Sequence, residues 1–568
     1  MRPNVLRIVQ WLIPALASAL LGACANPFAD AEKAGAPTID GFGTASFVPS
    51  AREPEARRLF QQGLLLAYGF EHTEAARSFR AAWALDASCA MCAWGVVYAL
   101  GPNINQPERN NVREIRRYLA RARAAAGAAT PREQALIEAL SVRYGVADEA
   151  VQKAEATRAA SYCTTLRKER DVDPLELAYA TAMTGVVARF PDDPDVVALY
   201  ADAVMTTSPW NWWDRETGQP NGMMGDVVAR LQAAARQHPQ HTGSAHFLIH
   251  AAEQSYALDD AERAADRLGK LAPGAPHLVH MPGHIYVHTG RFNEAAIVNE
   301  QALERQQAFL KQVRDQGYTP PRNWDFHHLH FLWYARLAAG RGDLAVGTAQ
   351  RIDGRWGGIA GDFREYVRAL PLLSLARLER WEAIAAVPAP TFSLGMVDGA
   401  WHYMNGLAAL RAGRIDAARG AVAQIDAARR QPALQRTRSD DRPGLPGQLD
   451  VLRDTLAGRI ASQTGQHDDA IRLLTNAAQL EDTIAGEPPL MAATAQLQLA
   501  HALRRADRPA DAERAYRKYL RRHRDAPWGL EGLQRALQQQ GKVAEAQAVG
   551  AQLAAALKYA DAGWSPPD

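Results

Sequence analysis

The same residue types return every 34 positions along this chain. His246 and His280 are 34 apart, as are His250 and His284, Ala261 and Ala295, and Ala512 and Ala546. Apolar residues at three-to-four spacing fill the period, and Gly or Pro breaks it every dozen or so positions. That pattern specifies pairs of antiparallel helices. One pair cannot bury its apolar face alone, so neighbours must stack into a superhelix with a concave inner wall. The expected fold is therefore all-α, a solenoid of antiparallel helix pairs. By length alone, 568 residues would read as three or four domains, and the repeat overrides that count.

The clearest unit runs from Pro276 to Leu310. Gly283 and Tyr286 lie on its first helix, Gly290-Arg291-Phe292 form the turn, and Ala295 and Ala302 lie on its second. The unit resembles the tetratricopeptide repeat, in which small residues let two helices approach closely. Further units appear as Gly63…Ala75…Phe79…Ala82, Gly406…Gly413-Arg414…Ala418 and Gly458…Gly465…Ala470. Several segments go beyond the generic repeat: Cys89-Ala90-Met91-Cys92-Ala93-Trp94-Gly95, Gly101-Pro102-Asn103-Ile104-Asn105, His246-Phe247-Leu248-Ile249-His250-Ala251-Ala252-Glu253 and His280-Met281-Pro282-Gly283-His284-Ile285-Tyr286. With them, the chain from about residue 55 to 550 resembles a group of bacterial tetratricopeptide-repeat lipoproteins. The resemblance implies the superhelix and no particular reaction. Where that group usually continues from Glu487-Pro488-Pro489 into aromatic residues, this chain has Leu490-Met491-Ala492-Ala493.

The repeat family's pattern, carried onto this chain, puts His246, His250 and Glu253 on the concave wall of one unit. His277, His280, His284 and His288 fall there in the next, and His327, His330 and Tyr334 in the third. Imidazole is the commonest transition-metal ligand. First helices of adjacent units pack about 8–10 Å apart, so facing imidazoles can converge on one ion with bonds of about 2.0–2.1 Å. The candidate ligands are His246, His250, His280, His284 and His330, joined by His277, His288, His327 and Glu253. Copper, iron and zinc all suit such a set. Glu253 is also the candidate general base of any reaction. The bland alternatives are a polar groove for a peptide, or histidines that only fill space.

Cys89 and Cys92, with Met91 between, read either as a local disulfide or as a thiol site able to hold copper(I) at a helix start. Cys163 reads as incidental. Residues 1–23 form a basic and then apolar signal peptide ending in Leu21-Gly22-Ala23-Cys24, a lipobox that would leave Cys24 lipidated. Ala25 after it favours the outer membrane, facing the periplasm. Residues 24–50 are expected as a flexible tether, 51–428 as the array with the histidine-lined concave face, 429–448 as a linker, and 449–560 as C-terminal repeats. Two insertions stand out: Ser208 to Met224, rich in Trp, and Tyr318-Thr319-Pro320-Pro321.

A net charge of +2, from 64 basic and 62 acidic side chains, offers no global attraction to nucleic acid. No phosphate-binding loop or nucleophile elbow appears. The expected function is a lipid-anchored scaffold that binds a protein or peptide in its groove and holds a transition metal on its histidines. The competing expectations are a copper, iron or zinc oxidase or hydrolase on the same superhelix, and a metal-free assembly scaffold.

Overall fold

The computed structural model describes residues 35–106, 111–145, 172–214, 217–321, 324–359, 361–391, 393–436, 444–484, 486–489 and 494–566. Among these, helix follows helix and there is no strand, only isolated bridges between Asn103 and Gln106 and between Trp213 and Pro220. None of these helices is long and apolar enough to cross a membrane. The signal peptide, Cys24, Cys163 and Leu490 to Ala493 lie outside the described residues.

Successive helices pair antiparallel: Pro54–Tyr68 with His72–Leu85, Thr242–Ala252 with Asp259–Leu271, Ile415–Arg429 with Met396–Arg411, and Pro527–Gln539 with Val543–Ala556. First helices then stack on first helices, as Thr242–Ala252 does on Pro194–Thr207. The chain is thus an all-α, tetratricopeptide-repeat-like solenoid. Local chemistry marks the helix starts: Thr130 and Glu133 close a capping box, and the Asp193 side chain accepts from Val196 N just before Pro194–Thr207. Small residues set the close approaches. A Cβ at Gly95 would lie 2.3 Å from the Phe79 ring, so only glycine lets that ring fit between helices.

One apolar core runs through the whole array, from Ile39 to Val549. Two long-range closures hold it. The first is an extended strap over residues 35–51, where the sequence suggested a loose tether. Ile39, Phe42 and Phe47 are buried, and Phe42 packs 5.6 Å from Phe309. Gly41 O accepts from Gly274 N at 2.8 Å, and Ser50 N donates to Glu133 Oε1 at 2.7 Å. Three buried apolar side chains, three and five residues apart, seat this extended segment across helix ends, a spacing that helical periodicity does not register.

The second closure is C-terminal. Arg524 N donates to His288 O at 3.2 Å, and Asp561 N to Gly340 O at 3.1 Å. The last repeats therefore fold back onto the histidine repeats instead of forming a separate sub-array. Of the expected linker, Pro432–Gln435 and everything from Gly444 onward are helical, and residues 437–443 lie outside the described set.

Cys89 and Cys92 are joined as a disulfide, with Cα atoms 5.3 Å apart and both side chains fully buried. Neither offers a thiolate, so the expected thiol site with Met91 is not available in this state. Cys89 instead caps the helix Ala90–Leu100, its sulfur accepting from Cys92 N.

Candidate metal centre

Two groups of three histidines form the centre, and each spans a repeat boundary. His246, His250 and His277 bring ligand atoms within 4.8 Å of one another, and so do His280, His284 and His327. In each, two imidazoles four residues apart share one helical face, and a third comes from the first turn of the next unit. The second group is the first advanced by one repeat: by 34 residues for His246 to His280 and His250 to His284, and by 50 for His277 to His327.

Pro282 helps to place the middle set. Lacking an N–H, it splits the segment into Pro276–His280 and Pro282–His288, so three ligands sit on either side of a break.

Backbone and side-chain acceptors hold the outer ring nitrogens. Nδ1 of His246 lies 2.6 Å from Tyr68 O, and Nδ1 of His280 lies 2.7 Å from Asn299 Oδ1. The Asn299 amide donates from Nδ2 to Ala295 O, which fixes Oδ1 as the acceptor. Glu253 sets Oε1 3.2 Å from Nδ1 of His250. Its Oε2 touches Nδ1 of His284, though out of line for a hydrogen bond.

These partners place the protons of His246, His250 and His280 on Nδ1 and leave Nε2 bare, the arrangement that orients metal-ligating imidazoles. The inner nitrogens then crowd together: Nε2 of His246 and His277 are 3.1 Å apart, and Nε2 of His280 and His284 are 2.9 Å apart. Nε2 of His250 and Nδ1 of His277 are buried with no hydrogen-bond partner among the described residues. A tetrahedral ion with bonds of about 2.0 Å holds its donor atoms about 3.3 Å apart. One pair in each triad is nearly at that spacing, and the third ligand atom lies within 4.8 Å of the other two.

Aromatic rings wall both groups. Phe70 lies 4.6, 5.5 and 5.0 Å from His246, His250 and His277. Phe331 lies 4.8, 4.3 and 5.1 Å from His280, His284 and His327. Phe70 holds a left-handed backbone, φ 58°, a conformation that costs a non-glycine residue about 1 kcal/mol or more and clusters at functional sites. Burial pushes the imidazoles down, His246 to about 3 and His327 to about 4, with His250, His277, His280 and His284 well below the ordinary value. Neighbouring imidazoles add to the effect on the last four. Burial, then the charge of Glu487, drives Glu253 well above the usual carboxylate range.

Two expected ligands lie outside the triads. His330 donates to or accepts from Tyr366 Oη at 2.7 Å and stacks on Trp333. Its Nε2 therefore faces the next helix, and one turn earlier His327 takes the third place. Tyr334, standing where the earlier units have His250 and His284, leaves no third pair. His288 bridges Glu487 Oε1 at 3.0 Å and Arg522 O at 3.1 Å. Each oxygen of Glu253 lies against an imidazole, Oε1 by a hydrogen bond and Oε2 by contact, a geometry that suits orientation of ligands better than proton abstraction.

Sequence reasoning missed Tyr68 O, Phe70, Asn299 and the pair Glu71 and His72. Burial and then Glu74 raise Glu71 to about 8, and burial lowers His72 to about 4. One signal was available: Asn299 puts an amide in the small, buried row of Ala295 and Ala302. A Cβ at Gly283 would come 2.8 Å from its Nδ2. Asn299→Ala is expected to weaken ion binding at the second triad by roughly 10–100-fold, measured by zinc titration of the metal-free protein.

No protein-family model matches the chain, and no curated protein does. Solved structures do align. The tetratricopeptide-repeat domain of P58(IPK) is 10% identical over 86% of this chain and 98% of its own, with a TM-score of 0.21. Yeast Tom70 is 12% identical over 89% and 92%, with a TM-score of 0.24. A chain of the APC/C hetero-tetramer Cut9–Hcn1 is 12% identical over 89% and 97%, with a TM-score of 0.25. Superpositions this loose carry no argument, and the fold assignment rests on the helix pairs and their stacking.

Proposed function

We propose that this chain is a metalloprotein holding two transition-metal ions, copper, iron or zinc, one on His246, His250 and His277 and one on His280, His284 and His327. The observation that carries the reading is the pair of Nε2 atoms of His280 and His284, 2.9 Å apart. Asn299 Oδ1 accepts from Nδ1 of His280 and so leaves its Nε2 a bare lone pair, aimed at Nε2 of His284 where a shared cation would sit. Glu253 supports the reading as well. A buried carboxylate with only neutral imidazoles beside it is costly unless it is protonated or a cation stands close.

Three imidazoles leave the fourth position of a tetrahedral ion open, the pattern of catalytic rather than structural sites. The reading therefore extends to an enzyme whose small substrate reaches an ion walled by Phe70, Phe331 and Trp324. A periplasmic location through lipidated Cys24 belongs to the same proposal, and a buried disulfide is in keeping with an oxidising compartment.

Elemental analysis of the tag-free protein, purified from its envelope fraction without chelating resin, tests this. About two ions per chain are expected, and about one in each of the double variants His246→Gln/His250→Gln and His280→Gln/His284→Gln. Wild-type protein that holds no metal, even after copper, iron and zinc are each added back, would overturn the reading. The scaffold reading keeps the solenoid's outer surface for a protein partner, since the histidines themselves are buried. Capture of the same partners by wild type and both metal-poor variants would favour it.

A further inference from the structure

The two triads are repeat copies, but the carboxylate between them is not. The position 34 residues after Glu253 is Val287, so the repeat supplies two sets of imidazoles and one carboxylate. Glu253 is 1% exposed, and its ion-pair partners among the described residues are His250 of the first triad and His284 of the second. One oxygen faces each. The rings of His250 and His284 are 5.6 Å apart in an edge-on arrangement, which brings both Nδ1 atoms to the same carboxylate.

We infer that Glu253 is a positioning residue that couples the two sites, so that an ion bound at one triad strengthens binding at the other. This rests on the reading that the triads bind metal. An ion on Nε2 of His250 withdraws charge from the ring and makes its Nδ1–H a stronger donor. The carboxylate is then held in place. Its other oxygen stands against Nδ1 of His284, and a proton drawn to that nitrogen leaves Nε2 of the ring bare for the second ion. Asn299 and Tyr68 O lack this property because each serves a single ring.

An amide cannot do the same work. The side chain of Gln has one accepting oxygen and one donating NH2. Glu253→Gln can satisfy one Nδ1–H, and its NH2 then faces the other ring, which must move its proton to Nε2, where the ion would bind. Glu253→Asp keeps two acceptors but withdraws both from the rings.

The test is calorimetric titration of the metal-free full-length protein with zinc(II) alone, with far-UV circular dichroism confirming the fold of each variant. Wild type is expected to take two ions cooperatively. Glu253→Gln is expected to split the sites, one near the wild-type affinity and one 10–100-fold weaker, with cooperativity lost. Glu253→Asp is expected to weaken both alike. Two matched sites in Glu253→Gln, at the wild-type affinity or below it, would overturn the coupling while leaving the metal reading intact. Wild type taking up no zinc, copper or iron would overturn both.

Discussion

Stripped of metal, the protein is expected to lose stability steeply as the pH falls from about 7 to about 5. Burial holds His246, His330 and His523 at about 3 and His72 and His327 at about 4, with His250, His277, His280, His284 and His328 well below the ordinary value. In the unfolded chain each titrates near 6.5. The sign follows directly. Below about pH 6.5 the unfolded state binds protons that the folded state refuses, so acid favours unfolding, by about 1.4 kcal/mol per pH unit for each such histidine.

Buried acids work in the other direction. Burial raises Glu71 to about 8, Glu481 to about 7 and Asp202 to about 6, and lifts Glu253 well above its usual range. The folded state takes up these protons first, which partly offsets the histidines. The histidines outnumber these acids, so a net loss of several kcal/mol per pH unit remains, against a typical total stability of about 5–15 kcal/mol. The check is the urea midpoint of chelator-treated protein at several pH values in that interval. A midpoint that stays level or rises on acidification would show that the imidazoles are not buried and neutral.

The second large effect concerns Arg143, which is fully buried. Its Nε and one terminal nitrogen reach Glu176 Oε2 at 2.9 and 2.7 Å, and the same terminal nitrogen donates to Pro102 O at 2.7 Å. The guanidinium also lies 4.8 Å over the Tyr179 ring. Arg143→Met keeps much of the volume but removes the guanidinium that lies against the buried carboxylate of Glu176. It is expected to cost about 3–5 kcal/mol, measured by chemical denaturation at neutral pH. Replacing both partners with apolar residues is expected to recover most of that loss, because the penalty comes from a carboxylate kept buried after its guanidinium is removed. The Gly101-Pro102-Asn103 segment, conspicuous in sequence without an assigned role, here supplies a carbonyl that accepts from Arg143.

The 34-residue period and the three-to-four spacing were enough to read an all-α solenoid, and to place His246, His250, His280 and His284 on one side of their helices. Side-chain direction within one helix is a local property, so spacing reveals it. The third ligand of each triad was legible only as a wider group of candidates. His277 and His327 belong while His288 and His330 do not, and the difference lies in how far each first turn advances beneath its neighbour. Helix stacking and the insertion around Tyr318 set that advance, and neither leaves a periodic trace.

Glu253 was visible as a carboxylate on the histidine face, but its part between two rings was not. It depends on His250 and His284 coming edge-on across a repeat boundary. Tyr68 O, 178 residues from His246 in sequence, left no signal at all, because a backbone carbonyl looks the same at every position.

The sequence by itself thus determined the class of fold, the repeat unit and the two i, i+4 histidine pairs, since all of these follow from intervals counted along the chain. Only the tertiary structure decided which imidazoles share a site, that Glu253 stands between the sites, that the strap and the last repeats close over them, and that the histidine face is buried. Those outcomes depend on contacts between residues far apart in the chain, fixed by the pitch at which whole helix pairs stack.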